Sequence, residues 1–542
     1  MAITKDLHLH LEMRILLATG RKAERMVRDA VKDINADVDG GSASALQCEC
    51  EVLTQDLDIA AFTTPASLRR ALATHTHTQH GNGNKYDLIL VSGLCKADFS
   101  RLERELKIPV RLGPRNAYDI AETLKFADRI EFSARTPADV LLRMKREEDA
   151  KQLLQVLEVR AKDKFSLKGV KIGGNARMKV CAELVDATLM DNAEIQHRME
   201  YFIESGADIV DVGVHIGANP EDVIRAVKAA RSFAPELPIS VDTMEPELIL
   251  AGIDSGADMV LSLNSANIAA VGDAIARKDI AAVVVPDTDT DTNPNPGSGH
   301  SLSTLFTNIN TAREMGIRRI IADPVLDAVG YGIGESLHRY YLFRLLDKCT
   351  PLFFGAGNVT ELIDADSTGV NALLAGIASD IGADILFTPE YSAKARGSVK
   401  ELRVASEMMM LAKARNSTPK DLGIDLLIMK EKRSKPVLRI DADSEAEVIE
   451  AKSTKRWRRD PAGSFEIGIC EVGDRRKIYA KHLPSGIQIV GLNAKEVMDT
   501  ILRQNMVSLL EHASYLSREL MKAELALYLG RSYEQDETLF KF

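Results

Sequence analysis

Eight short apolar segments recur between Met178 and Glu390, and each closes on an acid, an amide or a residue beside one. They are MKVCAELVDAT (178–188), ADIVDVGV (207–214), LPISVDT (237–243), DMVLSLNS (258–265), AAVVVPDTD (281–289), RRIIADPV (318–325), PLFFGAGN (351–358) and ADILFTPE (383–390). The stretches between them, such as AEIQHRMEYFIESG (193–206), PEDVIRAVKAARSFA (220–234) and PELILAGIDSG (246–256), have helical period. Strands separated by helices pair in parallel, and strands apolar along their length belong to a sheet covered on both faces. Eight such units predict a (β/α)8 barrel, in which every strand delivers its C-terminal end to one rim. Asp186, Asp211, Asp242, Asn264, Asp287, Asp323, Asn358 and Glu390 are therefore expected to ring a single cavity. At any one of these positions a turn or a helix cap is an equally good explanation. The pattern as a whole favours a pocket, because caps would use Ser or Thr as often as Asp, and because Asp211 and Asp242 sit inside their strands.

A chain of 542 residues is too long for one domain and ample for two or three. Residues 1–135 read as an open, Rossmann-like α/β unit built on MRILLATG (13–20), KYDLILVSG (85–93), KIPVRLGP (107–114) and ADRIEFSA (127–134). Its first turn, TGRKAE, has one glycine and no GxGxxG, so a dinucleotide site is unsupported. The tract THTHTQHGNGNK (74–85) carries His75, His77 and His80, and its glycine-flanked setting favours an exposed loop over a metal site. Residues 136–165 are expected to form a linking helix that starts near Thr136, and 166–416 the barrel, closed by a helix at 399–416 whose methionines read as core. Residues 425–542 follow as an α+β module, with strands in PVLRIDA, SFEIGICEV, KIYAKHL and GIQIVGL and helices at 494–505 and 508–530.

A net charge of −10 argues against nucleic acid as a partner, since phosphate binding needs Lys and Arg in excess on one face. Six scattered cysteines without CxxC spacing read as reduced thiols. No apolar run has the length of a membrane span and no signal-type segment opens the chain, so a cytoplasmic protein without a membrane partner is expected.

GADIVDVG (206–213), PISVDT (238–243), GADMVLSLNS (256–265) and ADPV (322–325) resemble, in order and spacing, the motifs of the pterin-binding barrels. That family comprises the dihydropteroate synthases and the methyltransferases that use folate or tetrahydromethanopterin. The resemblance implies that Asp242, Asp323 and Asn264 grip the aminopyrimidinone edge of a pterin, with Asp211 and Asn358 lining the same pocket. Chemistry agrees, because a pterin presents a ring N–H beside an exocyclic amine and a carboxylate accepts both. The sequence also departs from the synthases. Their Ser-Arg-Lys run after the seventh strand is replaced by GAGNVTEL (355–362), their Arg-x-His by TPEYS (388–392), and their first-strand metal-binding Asn has only Glu183 and Asp186 nearby. GAGN resembles instead the Gly-Leu-Ser-Asn of the pterin-dependent methyltransferases.

The whole chain is similar to the dihydropteroate synthase-related proteins of organisms that use tetrahydromethanopterin, and residues 512–536 resemble part of the A subunit of the tetrahydromethanopterin methyltransferase. His512 invites reading as a corrinoid ligand, but a His near a helix start is more often structural, and DxHxxG is absent. Two reactions remain open. In the first, a hydroxymethyl-dihydropterin diphosphate condenses with an arylamine, a ribofuranosylaminobenzene phosphate. Lys394 and Arg396, with Arg403, are then the candidate groups for the leaving diphosphate, and Glu183 and Asp186, or the acidic loop 287–301, the candidate magnesium ligands. In the second, a methyl-pterin donates its methyl group to a corrinoid or a thiol, and Asn358, with Asn264, is the candidate catalytic group that stabilises the departing N5 as it gains a proton. A pterin-binding scaffold without catalysis is a third reading, and a homodimer is the expected assembly.

Overall fold

The computed structural model describes residues 13–39, 48–75, 79–80, 83–84, 86–127, 130–287, 301–432, 449–453, 458–473 and 475–540. Most of the acidic loop, His77 and the PVLRIDA segment lie outside them. Contacts divide the chain into two units, Met1–Lys430 and Glu431–Phe542.

The eight predicted barrel strands form, as Lys179–Leu184, Ile209–Gly213, Ile239–Asp242, Met259–Leu263, Ala281–Val284, Ile320–Ala322, Phe353–Phe354 and Ile385–Thr388. Neighbours pair in parallel and the eighth pairs with the first. Between the sixth and seventh, a single bridge from Ala322 to Leu352 and the Ala322 N–H to Pro351 carbonyl bond (2.8 Å) close the ring. Side chains alternate along each strand. Val180, Ala182, Val210, Val212, Val241 and Val260 point outward beneath the helices and make the larger core. Cys181, Ile209, Met259, Ala281, Val283, Ile321, Phe353 and Ile385 fill the lumen. A hairpin of Phe165–Leu167 and Val170–Ile172 adds Leu167 and Ile172 to that lumen core and sets Gly173 beside Pro351, the residue leading into the seventh strand. The hairpin therefore stoppers the end of the barrel where the strands begin.

A three-residue device recurs at that end. Gly206-Ala207-Asp208, Gly256-Ala257-Asp258 and Gly382-Ala383-Asp384 each follow a helix, with the glycine at φ of +97°, +104° and +81°. That conformation reverses the chain without strain only in glycine. Each aspartate then accepts a backbone N–H from the neighbouring strand: Val180 (2.8 Å), Ile239 (3.0 Å) and Leu352 (2.8 Å). Arg177, Arg231 and Arg344 stand beside the three carboxylates.

The linking helix spans Ala138–Arg160 and packs Leu154 against Leu411 of the closing helix, Ser398–Arg415. The N-terminal sheet has parallel order Cys48–Thr54, Met13–Thr19, Leu88–Val91, Val110–Leu112. Two expectations need correction there. The ADRIEFSA segment forms no strand among its described residues; it packs Phe132 into the core beneath the sheet, and its Ser133 carbonyl accepts the Leu112 N–H (2.9 Å). A strand that the periodicity does not reveal, CECEVLT, instead pairs with Met13–Thr19 at the opposite edge. Glu51 of that strand holds His75 (2.9 Å) and Tyr86 (2.6 Å), so His75 is bonded within the fold.

The C-terminal unit is an antiparallel sheet of Phe465–Val472, Arg475–His482 and Gln488–Gly491 covered by helices Ala494–Arg503 and Leu510–Tyr528. Among the described residues, no helix is long and apolar enough to cross a membrane.

Candidate active site: a carboxylate pocket at the barrel mouth

Strand register decides which acids meet. Glu183 pairs with Asp211, Asp211 with Ser240, and Gly213 with Asp242, so the acids of the first three strands share the lumen. One carboxylate oxygen from each of Glu183, Asp211 and Asp242 lies within 4.8 Å of the other two. Asp211 is fully buried: its Oδ1 accepts the Ser240 hydroxyl (2.5 Å), while its Oδ2 is sealed from solvent with no hydrogen-bond partner. Asp242 Oδ1 accepts the Ser262 hydroxyl (3.1 Å). Ser262 sits at φ +66°, where the register of the fourth and fifth strands shifts, so a strained residue aims this donor.

Asp323 follows the sixth strand and faces the same lumen. Its Oδ1 accepts the hydroxyl of the fully buried Tyr340 (2.6 Å) and the N–H of Val325 (2.8 Å). Val325 has φ +65°, an unusual conformation for a β-branched residue, and it turns that N–H onto the carboxylate. Oδ2 of Asp323 makes no hydrogen bond among the described residues.

Electrostatics bind these acids into one group. Burial, then repulsion from Asp242, Asp186 and Glu361, pushes the Glu183 carboxyl up to about 7. Burial raises Asp211 well above the ordinary range, with Asp242 and Glu183 adding to it. Asp242 is raised by burial against the Ser262 hydrogen bond. Asp323 keeps some surface open to the lumen, yet protein surrounds it closely enough that burial carries its carboxyl to about 6, against the Tyr340 and Val325 bonds. Gathered anions of this kind are a signature of functional pockets as well as of structural networks.

Other expected rim residues have different surroundings. Asn264 is buried, accepts the Ala266 N–H (3.0 Å) through Oδ1 and leaves its amide nitrogen unpaired among the described residues. Asn358 folds over Gly355 and donates to the Leu326 carbonyl (2.8 Å), leaving its oxygen as the free end. Asp186 is exposed at φ +52° and belongs to the charges around Glu183, outside the group of three acids. Asp287 accepts from the Ser265 backbone and Asn308 (both 3.1 Å). Glu390 caps the closing helix through Gly397 and Val399 N–H groups (2.7 and 3.0 Å), the plain structural role.

Lys394 is paired with Asp364 (2.7 Å), and Arg396 is exposed without an ion pair among the described residues. Arg403 is not at this mouth at all. The closing helix runs back along the barrel, and Arg403 reaches Gly206 and Asp208 (3.3 Å to the latter), where the second strand begins. Sequence reading missed Ser240, Ser262, Tyr340 and Val325, which hold the acids. A Val after Asp-Pro gives no hint of positive φ, and Tyr340 lies 17 residues beyond its partner. In the C-terminal unit, His512 Nδ1 bonds Asp460 (2.9 Å), a carboxylate that also takes N–H groups of Ser508 and Leu509, which is a structural role.

Fold and pocket together define an eight-stranded parallel barrel with a carboxylate-lined mouth. The family model described as "Pterin binding enzyme" matches residues 184–386, and one described as "PterinBD-DUF4346" matches 459–536. An uncharacterized protein of Methanocaldococcus jannaschii is 37% identical, over 97% of this chain and 99% of its own. The chain belongs to the family of that protein. Among solved structures, Yersinia pestis dihydropteroate synthase with a pterin-sulfa conjugate is 17% identical, covering 46% of this chain and 99% of that one at a TM-score of 0.37. Xanthomonas albilineans dihydropteroate synthase with 4-aminobenzoic acid is 20% identical, covering 45% and 95% at a TM-score of 0.35.

Proposed function

We propose that the barrel is a transferase acting on a pterin, in which a hydroxymethyl-dihydropterin diphosphate condenses with an arylamine in the branch that makes tetrahydromethanopterin. The observation that carries the pterin assignment is Asp323. Its Oδ1 is occupied by Tyr340 and Val325, which fixes the carboxylate, and its Oδ2 is left for the adjacent N–H donors of a pterin edge. Asp242 and Asn264 stand by for the remaining ring positions. In the transfer itself the arylamine nitrogen forms the new C–N bond at the pterin methylene carbon. The C–O bond breaks, the diphosphate leaves with the electron pair, and the amine proton goes to solvent at the mouth. Arg396, free of ion pairs among the described residues, is the basic group placed to meet the leaving anion.

A second reading, methyl transfer from a methyl-pterin to a corrinoid or thiol, is favoured by one observation. Lys394 is already engaged by Asp364 and Arg403 lies at the opposite end, so little fixed positive charge awaits a diphosphate. Calorimetry with the two pterins separates the readings. Under the synthase reading Arg396→Ala weakens binding of the diphosphate and spares the unphosphorylated pterin; equal loss, or none, leaves methyl transfer ahead. Under both, Asp323→Asn loses the charge and must turn its NH2 either toward the Tyr340 and Val325 donors or toward the N–H groups of the pterin. It should lose about 2–4 kcal/mol, on the order of 30- to 1000-fold in pterin affinity. A folded variant that binds within a few-fold of the parent would remove the pterin assignment.

A further inference from the structure

We propose that Glu183, Asp211 and Asp242 form a site for one hard divalent cation, of the magnesium or manganese class, in the barrel lumen beside the pterin pocket. Three carboxylates, each with an oxygen within 4.8 Å of the other two, supply only oxygen donors, the set such ions prefer. Acids gathered in this way do not by themselves make a site. The second observation is Asp211 Oδ2, which is completely buried and has neither a donor nor a water-accessible face. An unpartnered anionic oxygen in a closed lumen is costly, and what relieves it has to be a cation or a proton. Its sister oxygen is committed to Ser240, so Oδ2 is the one available.

The third observation is the space kept for Glu183. A Cβ at Gly213 would lie 2.6 Å from Glu183 Oε1 and 2.9 Å from the Leu184 carbonyl oxygen, so the glycine lets both the backbone of the first strand and the Glu183 carboxylate lie against the second. Gly213 has no positive φ to explain it, and room is what remains. The site differs from a pairing of Glu183 with Asp186, because Asp186 is exposed and outside the group of three. A cation here supplies positive charge close to the pocket that Lys394 and Arg403, both engaged elsewhere, do not. What the ion does for the leaving diphosphate rests on the synthase reading; where it binds does not.

The test uses full-length protein stripped with a chelator and titrated with Mn2+ in the absence of pterin, with free Mn2+ read by electron paramagnetic resonance. One Mn2+ per chain should bind saturably and be displaced by excess Mg2+. Asp211→Asn and Glu183→Gln should each weaken binding by about tenfold or more, the loss of one charged ligand, while Asp186→Asn leaves it unchanged. Both amide variants are near-isosteric and remove a buried charge, so each should fold, and circular dichroism checks this. If one does not, the other carries the comparison, and a Mn2+-dependent rise in the thermal midpoint of the parent stands beside it. Absence of saturable binding, the result if a shared proton rather than a metal relieves Asp211, overturns the proposal. So does parental affinity in either folded variant. Asp323→Asn should keep Mn2+ while losing pterin, so the two assignments fail separately.

Discussion

Asp323 is the residue on which the pterin assignment turns, and its protonation gives that assignment a pH signature. Under that assignment the ionised carboxylate is the form that accepts the pterin donors, and a proton competes with them. Because the carboxyl stands near 6 in the free protein, affinity for an uncharged pterin should be flat above about pH 7 and fall below pH 6. Well below that value the fall should approach about tenfold per unit. Calorimetric titrations between pH 5 and 8 check it, and a pH-independent affinity would mean that Asp323 does not meet the ligand. That an acid follows the sixth strand was legible in ADPV. Its mooring was not, because Tyr340 arrives from a helix and the Val325 backbone reveals its conformation only in three dimensions. Glu390 shows the reverse: an acid at a strand end that looked equally promising is spent on the N-terminus of a helix.

Among the elements, the recurring Gly-Ala-Asp turns show why the eight strands were so readable. Each repeats one solution to one problem, a helix ending and a buried strand beginning with its neighbour's first N–H in need of an acceptor. Asp258→Ala should strip Ile239 of that acceptor and leave Arg231 without its carboxylate, bonded only to backbone carbonyls, at a cost of about 1.5–3 kcal/mol in chemical denaturation, with pterin affinity in the folded fraction unchanged. No change in midpoint would show these turns to be dispensable. The misreadings at this scale share a cause. CECEVLT carries two acids, of which Glu51 is met by His75 and Tyr86 inside the fold, and Arg403 was placed by distance along the chain although its helix runs back toward the other end of the barrel. Sequence shows period, whereas direction and register belong to tertiary packing.

Considered whole, the molecule keeps several acids it would hold more cheaply as neutral groups. Glu183, Asp211, Asp242, Asp323 and also Asp384, near 6, all have carboxyls raised mainly by burial. A carboxyl raised in the fold binds protons more readily there than in the unfolded chain. The stability it contributes is complete below about pH 4 and lost as pH rises through 6 and 7. In chelator-treated, ligand-free protein the thermal midpoint of the barrel should therefore fall from pH 5 to pH 8, and Asp211→Asn should flatten that fall. A midpoint that rises across this window would show the acids to be compensated in a way the geometry does not reveal. The hairpin that stoppers the lumen with Leu167 and Ile172 bears on kinetics. It makes the barrel a cul-de-sac, with a single doorway for everything that enters or leaves. On the proposed assignment a pterin seated on Asp323 and Asp242 would lie at the inner end, and whatever reacts with it would have to settle on top. Addition would then be ordered, pterin first, and a high concentration of the second substrate would slow turnover by standing in the doorway before the pterin has passed.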